Sequence, residues 1–207
     1  MRRVSFLFLL IIVLAWFGHT FSKNFIVDPD FSRFLEHKGS FELLENHLWT
    51  FFLRTHIILS LVALCAGPIA LLKRSRKGTA TLHKYAGRFY VLSIFLNAIP
   101  ALYVSFYATG GWISFLGFLC LNVVWTGTTY LAYKKIRQGK VADHKRWMTR
   151  SYAVTLANTS IYILTLALNS GAGLDYIVSY QISVWIGWFL NLIIAEGIIK
   201  RRDDNRG

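Results

Sequence analysis

Residues 86–108 read AGRFYVLSIFLNAIPALYVSFYA, with Arg88 as the one charge in the run. An apolar helix needs about 20 residues to cross the hydrocarbon core, so this stretch is long enough to span a bilayer. Five further runs of the same kind accompany it, at Val4 to Phe21, Leu48 to Leu72, Trp112 to Lys134, Trp147 to Leu168 and Ile177 to Ile199. The composition agrees with that reading. Of the 207 residues, 55% are hydrophobic and 16% charged, which excludes a disordered chain, and two cysteines exclude a small secreted fold built on disulfides. The expected fold is all-α, a polytopic transmembrane helix bundle of six spans. Its parts are an N-terminal anchor helix with an external amphipathic loop over 1–47, a five-helix transmembrane core over 48–199 and a basic cytoplasmic tail over 200–207.

Short connections at 73–77, at Gly110 and Gly111, at 134–146 and at 169–173 make successive spans antiparallel. Lys and Arg near span ends are retained on the cytoplasmic side, and this decides the orientation. A chain that starts inside places Arg2, Arg3, the basic turn at 73–77, Lys84, Arg88 and the basic residues of 134–150 and 200–206 inside. Lys23, Arg33, Lys38 and Arg54 fall outside. The split is 19 against 4, so both termini are expected in the cytoplasm of a multi-pass plasma-membrane protein. The same distribution explains the net charge of +13 without nucleic acid, which would need the charge gathered on one soluble surface. Spread over the inner loops, it suits anionic inner-leaflet lipids.

The first span has the basic start and apolar run of a signal peptide, but 18–24 read GHTFSKN and lack the small residues of a cleavage site. An uncleaved anchor is expected. In the external loop, Asp28 followed by Pro29 is a helix start and Gly39 a stop. Phe31, Phe34 and Leu35 share one side of that short helix, which would rest on the outer interface or cap the bundle.

Polar residues inside a span usually face the bundle interior or a cavity. His56, Ser60, Ala63 and Gly67 lie on one helical face, spaced at 4, 7 and 11, and Pro68 is expected to kink the helix. In the third span His83, Gly87, Tyr90 and Asn97 share a face. In the fifth, His144, Met148, Ser151 and Asn158 do so at the same spacing, a weak repeat offset by 61 residues. The shared offset puts the two histidines at one depth and the two asparagines at another, about 21 Å further out. An Asn97–Asn158 hydrogen bond across the bundle is expected, with Asn122, Gln181 and Asn191 extending the network.

The histidines carry the sharper chemistry. A neutral imidazole at the start of a helix can bind a metal or haem iron. Gly87, one turn above His83, leaves room for a flat macrocycle, and Lys84, Arg88 and Arg150 can pair with haem propionates. The cofactor-binding candidates are therefore His56, His83, His144, Gly87, Arg88 and Arg150, with haem b as the group that suits them. Each has a plainer reading. His83 and His144 sit among Lys and Arg at a membrane boundary, Arg88 and Arg150 can snorkel to lipid phosphate, and Glu196 can neutralise an arginine. Gly87 can also be small because a helix crosses there. His56, about 10 Å below the outer surface, suits a small-molecule or quinone pocket, or a buried histidine satisfied by Tyr103, Tyr162 or Thr165. Cys65 and Cys120 differ in depth and read as packing residues. Trp16, Trp49, Trp112 and Trp147 read as an interfacial belt, whereas Trp125, Trp185 and Trp188 need internal acceptors. The chain has no phosphate loop, nucleophile elbow or His-Glu-x-x-His motif.

Thr-His-Ile at 55–57, Ala-Gly-Pro at 66–68, His-Lys-Tyr-Ala-Gly-Arg-Phe-Tyr at 83–90 and Asp-His-Lys-Arg-Trp-Met-Thr-Arg-Ser-Tyr-Ala at 143–153 carry a pattern. It resembles the bacterial predicted membrane proteins grouped as domain of unknown function 2306. The resemblance implies an integral membrane protein of a bacterial plasma membrane and supplies no activity. Two functions remain open at this level. One is a redox protein holding haem or another cofactor through membrane-embedded histidines. The other is a non-enzymatic small-solute carrier or an accessory subunit, within a membrane complex or a homodimer.

Overall fold

The structure is a computed structural model that describes residues 3–36, 42–71 and 77–205. Among the described residues all regular structure is helical: α1 (Arg3–Ser22), α2 (Ser32–Glu36), α3 (Glu42–Glu45), α4 (His47–Leu71), α5 (Lys77–Ser105), α6 (Gly111–Arg137), α7 (Val141–Thr155), α8 (Ala157–Leu166) and α9 (Tyr176–Asp204). Wide helical turns follow α1 at Lys23–Val27 and α8 at Ala167–Gly171. Six stretches are long and apolar enough to cross a membrane: Phe6–Val27, His47–Ala70, Ala80–Ser105, Gly111–Arg137, Val141–Gly171 and Tyr176–Asp204. They coincide with the six runs of the sequence. Much of the apolar surface points outward, as with Ile11, Phe89, Ile99, Phe189 and Ile193, which a bilayer would cover.

The chain forms two compact units, 1–100 and 101–207, with the boundary at Pro100 inside α5. In the first unit α1 packs on α4, and α4 continues through Pro68 to Leu71. The segment between α1 and α4 folds onto the start of α4. Asp28, buried, accepts the backbone N–H groups of Arg33 (3.0 Å) and Phe34 (2.9 Å) and so caps α2. Phe31 and Leu35 are fully buried, with Phe31 edge-on to Trp49 and the Arg54 guanidinium over its ring. Phe31 has φ +63°, a left-handed conformation that turns the chain into α2. Trp49 is accordingly 2% exposed and belongs to this packed cap instead of the expected interfacial belt. Just outside the spans, Ser32 donates backbone and side-chain hydrogen bonds to Asp30, which hold its carboxyl below the usual range. The stop at Gly39 lies outside the described residues.

In the second unit α6 packs on α7 and α9, and α8 on α9. Two glycines allow this. A Cβ at Gly187 would lie 2.8 Å from Ile161 Cγ1 and 3.1 Å from the Ile161 nitrogen, and one at Gly117 would lie 2.6 Å from Val184 Cγ1. The fifth span is broken at Leu156, whose N–H is shared between the carbonyls of Tyr152 and Ala153. No proline or glycine stands there to announce it. Two of the deep tryptophans have internal acceptors: Trp125 donates to Thr155 Oγ1 at 2.9 Å and Trp185 to the Ile113 carbonyl at 3.1 Å.

Candidate functional site

His56 sits nine residues into α4, and Asn97 lies eight residues before the end of α5. At 1.5 Å per residue these positions are about 14 Å from the start of α4 and about 12 Å from the end of α5, so two antiparallel spans bring them level. His56 Nδ1 is 3.0 Å from Asn97 Oδ1, and Asn97 Nδ2 donates to Ser60 Oγ at 3.0 Å. Asn97 is fully buried. The partner of His56 is thus Asn97, in place of the expected Tyr103, Tyr162 or Thr165. Depth arithmetic on the two helices would have found it.

At the opposite end of α5, His83 is half-buried, and its Nδ1 is buried without a hydrogen-bond partner among the described residues. A Cβ on Gly87 would meet no atom within 4 Å. Among the described residues, then, nothing presses on the Gly87 position itself. Lys84 and Arg88 are exposed, with the Arg88 guanidinium 5.9 Å from the Tyr85 ring centroid.

In the second unit His144 Nδ1 lies 2.9 Å from the Ala132 carbonyl oxygen. A carbonyl accepts only, so Nδ1 carries the proton and Nε2 a lone pair in the neutral ring. One and a half turns along α7, Arg150 donates through Nε and Nη2 to the two oxygens of Glu196 at 2.5 and 2.9 Å, with its guanidinium 4.5 Å from the Trp147 centroid. Two of its donors are thereby engaged. Arg146 reaches Asp143 and Asp203, and Asp143 also pairs with Lys135, tying the ends of α6, α7 and α9.

The expected equivalence of Asn97 and Asn158 does not hold. The Asn97 amide is taken up by His56 and Ser60 within the first unit, while Asn158 is exposed on α8. Asn191 provides the buried amide of the second unit, accepting from Ser160 at 2.8 Å and donating to the Ala153 carbonyl at 3.0 Å. Gln181 donates instead to the Gly110 carbonyl. Among the described residues no three His, Cys, Asp or Glu side chains converge as a set that could hold a metal ion.

The family described as "Predicted membrane protein (DUF2306)" matches residues 53–199. The matched region takes in His56, His83, Asn97 and His144 and all but the first few residues of α4. No curated protein and no solved structure matches the chain.

Proposed function

The chain belongs to the predicted membrane protein family called domain of unknown function 2306, and from that premise we propose that it binds haem b, or another redox cofactor, through membrane-embedded histidines. One observation carries this reading: His56 and His144 each have Nδ1 against an oxygen atom. That arrangement orients an imidazole and makes Nε2 the metal-binding nitrogen of its neutral ring. The Nδ1 of His83, without a partner among the described residues, and the room at Gly87 suit a planar group on that face of α5. Lys84 and Arg88, both exposed on α5, are the cations of that unit for an anionic substituent there, and Arg150 in the other unit serves Glu196. The bound group would supply one-electron transfer, and the chain's part is to hold and orient it and to exclude water. Iron and haem content of the purified protein tests the reading: bound haem supports it, and protein with neither haem nor metal removes it.

A second reading, an accessory subunit of a membrane complex or a homodimer, is favoured by Asn158. This exposed amide lies near the middle of the Val141–Gly171 span, where hydrocarbon offers it no hydrogen bond. The orientation we propose, in a plasma membrane with both termini inside, rests on the 19 to 4 basic split. Reporter fusions should then place residues 1, 75, 140 and 205 inside and residues 35, 110 and 172 outside. An external location for 140 overturns it.

A further inference from the structure

We propose that Asn97, braced by Ser60, is a positioning residue that fixes the tautomer and ring orientation of His56, so that His56 presents an Nε2 lone pair inside the membrane. The observation is the directed chain of two hydrogen bonds. Asn97 has one face that donates and one that accepts. Its Nδ2 donates to Ser60 Oγ at 3.0 Å, which turns Oδ1 toward the imidazole, 3.0 Å from His56 Nδ1. An amide oxygen accepts only, so Nδ1 carries the proton of the neutral ring and the lone pair lies on Nε2.

The arrangement is built to hold that direction. Asn97 is 0% exposed, so no lipid headgroup or bulk water competes for its amide. Ser60 lies one turn beyond His56 on the same face of α4, and one asparagine from α5 therefore clasps two positions of the neighbouring helix. Reversing the amide would require the hydroxyl of Ser60 to donate to Oδ1 and Nδ2 to donate to the ring, which moves the ring proton to Nε2. The two directions give opposite chemistry at the atom facing away from Asn97. In one it is a ligand or hydrogen-bond acceptor, and in the other it is a donor. A structural role for Asn97 would require only that its hydrogen bonds be made in either direction. A positioning role requires one direction only.

The inference rests on the cofactor reading for its use but not for its test. Nitrogen NMR of protein labelled with 15N-histidine reports which ring nitrogen bears the proton, and His56→Gln identifies the His56 signals by their loss. The wild type should show His56 with Nδ1 protonated and Nε2 bare. Asn97→Leu, which removes both bonds, and Ser60→Ala, which removes only the brace, should each shift His56 toward the Nε2-protonated form. Where cofactor is bound, Asn97→Leu should lower its affinity about 10- to 100-fold, the usual effect of removing a group that orients a ligand. Ser60→Ala keeps the test open if Asn97→Leu fails to assemble. An Nε2-protonated His56 in the wild type overturns the proposal, as does a tautomer unchanged in both variants. A wild type with Nδ1 protonated and no cofactor removes the redox reading and leaves the positioning role standing, so the two failures are distinct.

Discussion

Gly187→Leu is expected to deplete folded protein in the membrane, while Gly87→Leu leaves assembly close to wild type. At Gly187 the obstacle is the backbone of α8. Even a methyl group would lie 3.1 Å from the Ile161 nitrogen and 2.8 Å from its Cγ1, and Ile161 is itself buried. Overpacking of this kind costs about 1 to 3 kcal/mol, and the full leucine side chain belongs at the upper end. In a bilayer, where helices associate through close packing of small residues, no hydrophobic drive offsets that loss. At Gly87 a Cβ meets nothing within 4 Å, so added bulk has room, and its expected effect is instead to exclude a ligand from that face. Folded fraction after mild heating in detergent, read beside cofactor content, separates the two. A Gly187→Leu protein as stable as wild type contradicts the packing account, and a Gly87→Leu protein that fails to assemble contradicts the open face.

His83→Ala and His144→Ala are each expected to lower bound cofactor at least about 10-fold with folded protein retained. The structural costs are small. The hydrogen bond of His144 to the Ala132 carbonyl is worth on the order of 1 kcal/mol, and His83 has no Nδ1 partner among the described residues to lose. His56→Ala differs, because it strands the buried Oδ1 of Asn97 at a cost of about 1 to 3 kcal/mol. His56→Gln, which keeps a polar side chain there, is the better variant. Unchanged cofactor content in His83→Ala and His144→Ala assigns both residues to plain interfacial packing.

The spans were legible because hydropathy acts over some twenty residues and needs no knowledge of neighbours. Asp28 was legible as a capping residue for a local reason as well, since it reaches amides only five and six positions away, but α2 starts at Ser32 and not at the expected Pro29, because the chain first turns through Phe31 at φ +63°. What the sequence concealed depends on contacts between helices. Asn97 and Asn158 occupy the same place in the repeat, yet one is buried against His56 and the other is exposed. Spacing sets depth and face within one helix, and only packing decides what lies opposite. The glycines teach the same lesson. Gly87 drew attention through its place beside His83, whereas Gly117 and Gly187, in close contact within helices, are distinguished by no local pattern. The break at Leu156 was invisible because no helix-breaking residue causes it. Trp49 lies at a span end, as a belt residue would, and was concealed by the folding of Phe31 and Phe34 back onto it.

The central claim is that membrane-embedded histidines hold a redox group. Its most direct test is the reduced-minus-oxidised absorption spectrum of the purified full chain, recorded beside the His83→Ala and His144→Ala proteins at equal folded amounts. The account predicts a Soret-region difference band in the wild type that is lost in both variants. A wild-type spectrum without any redox-dependent band, from protein that also carries no bound metal, contradicts it.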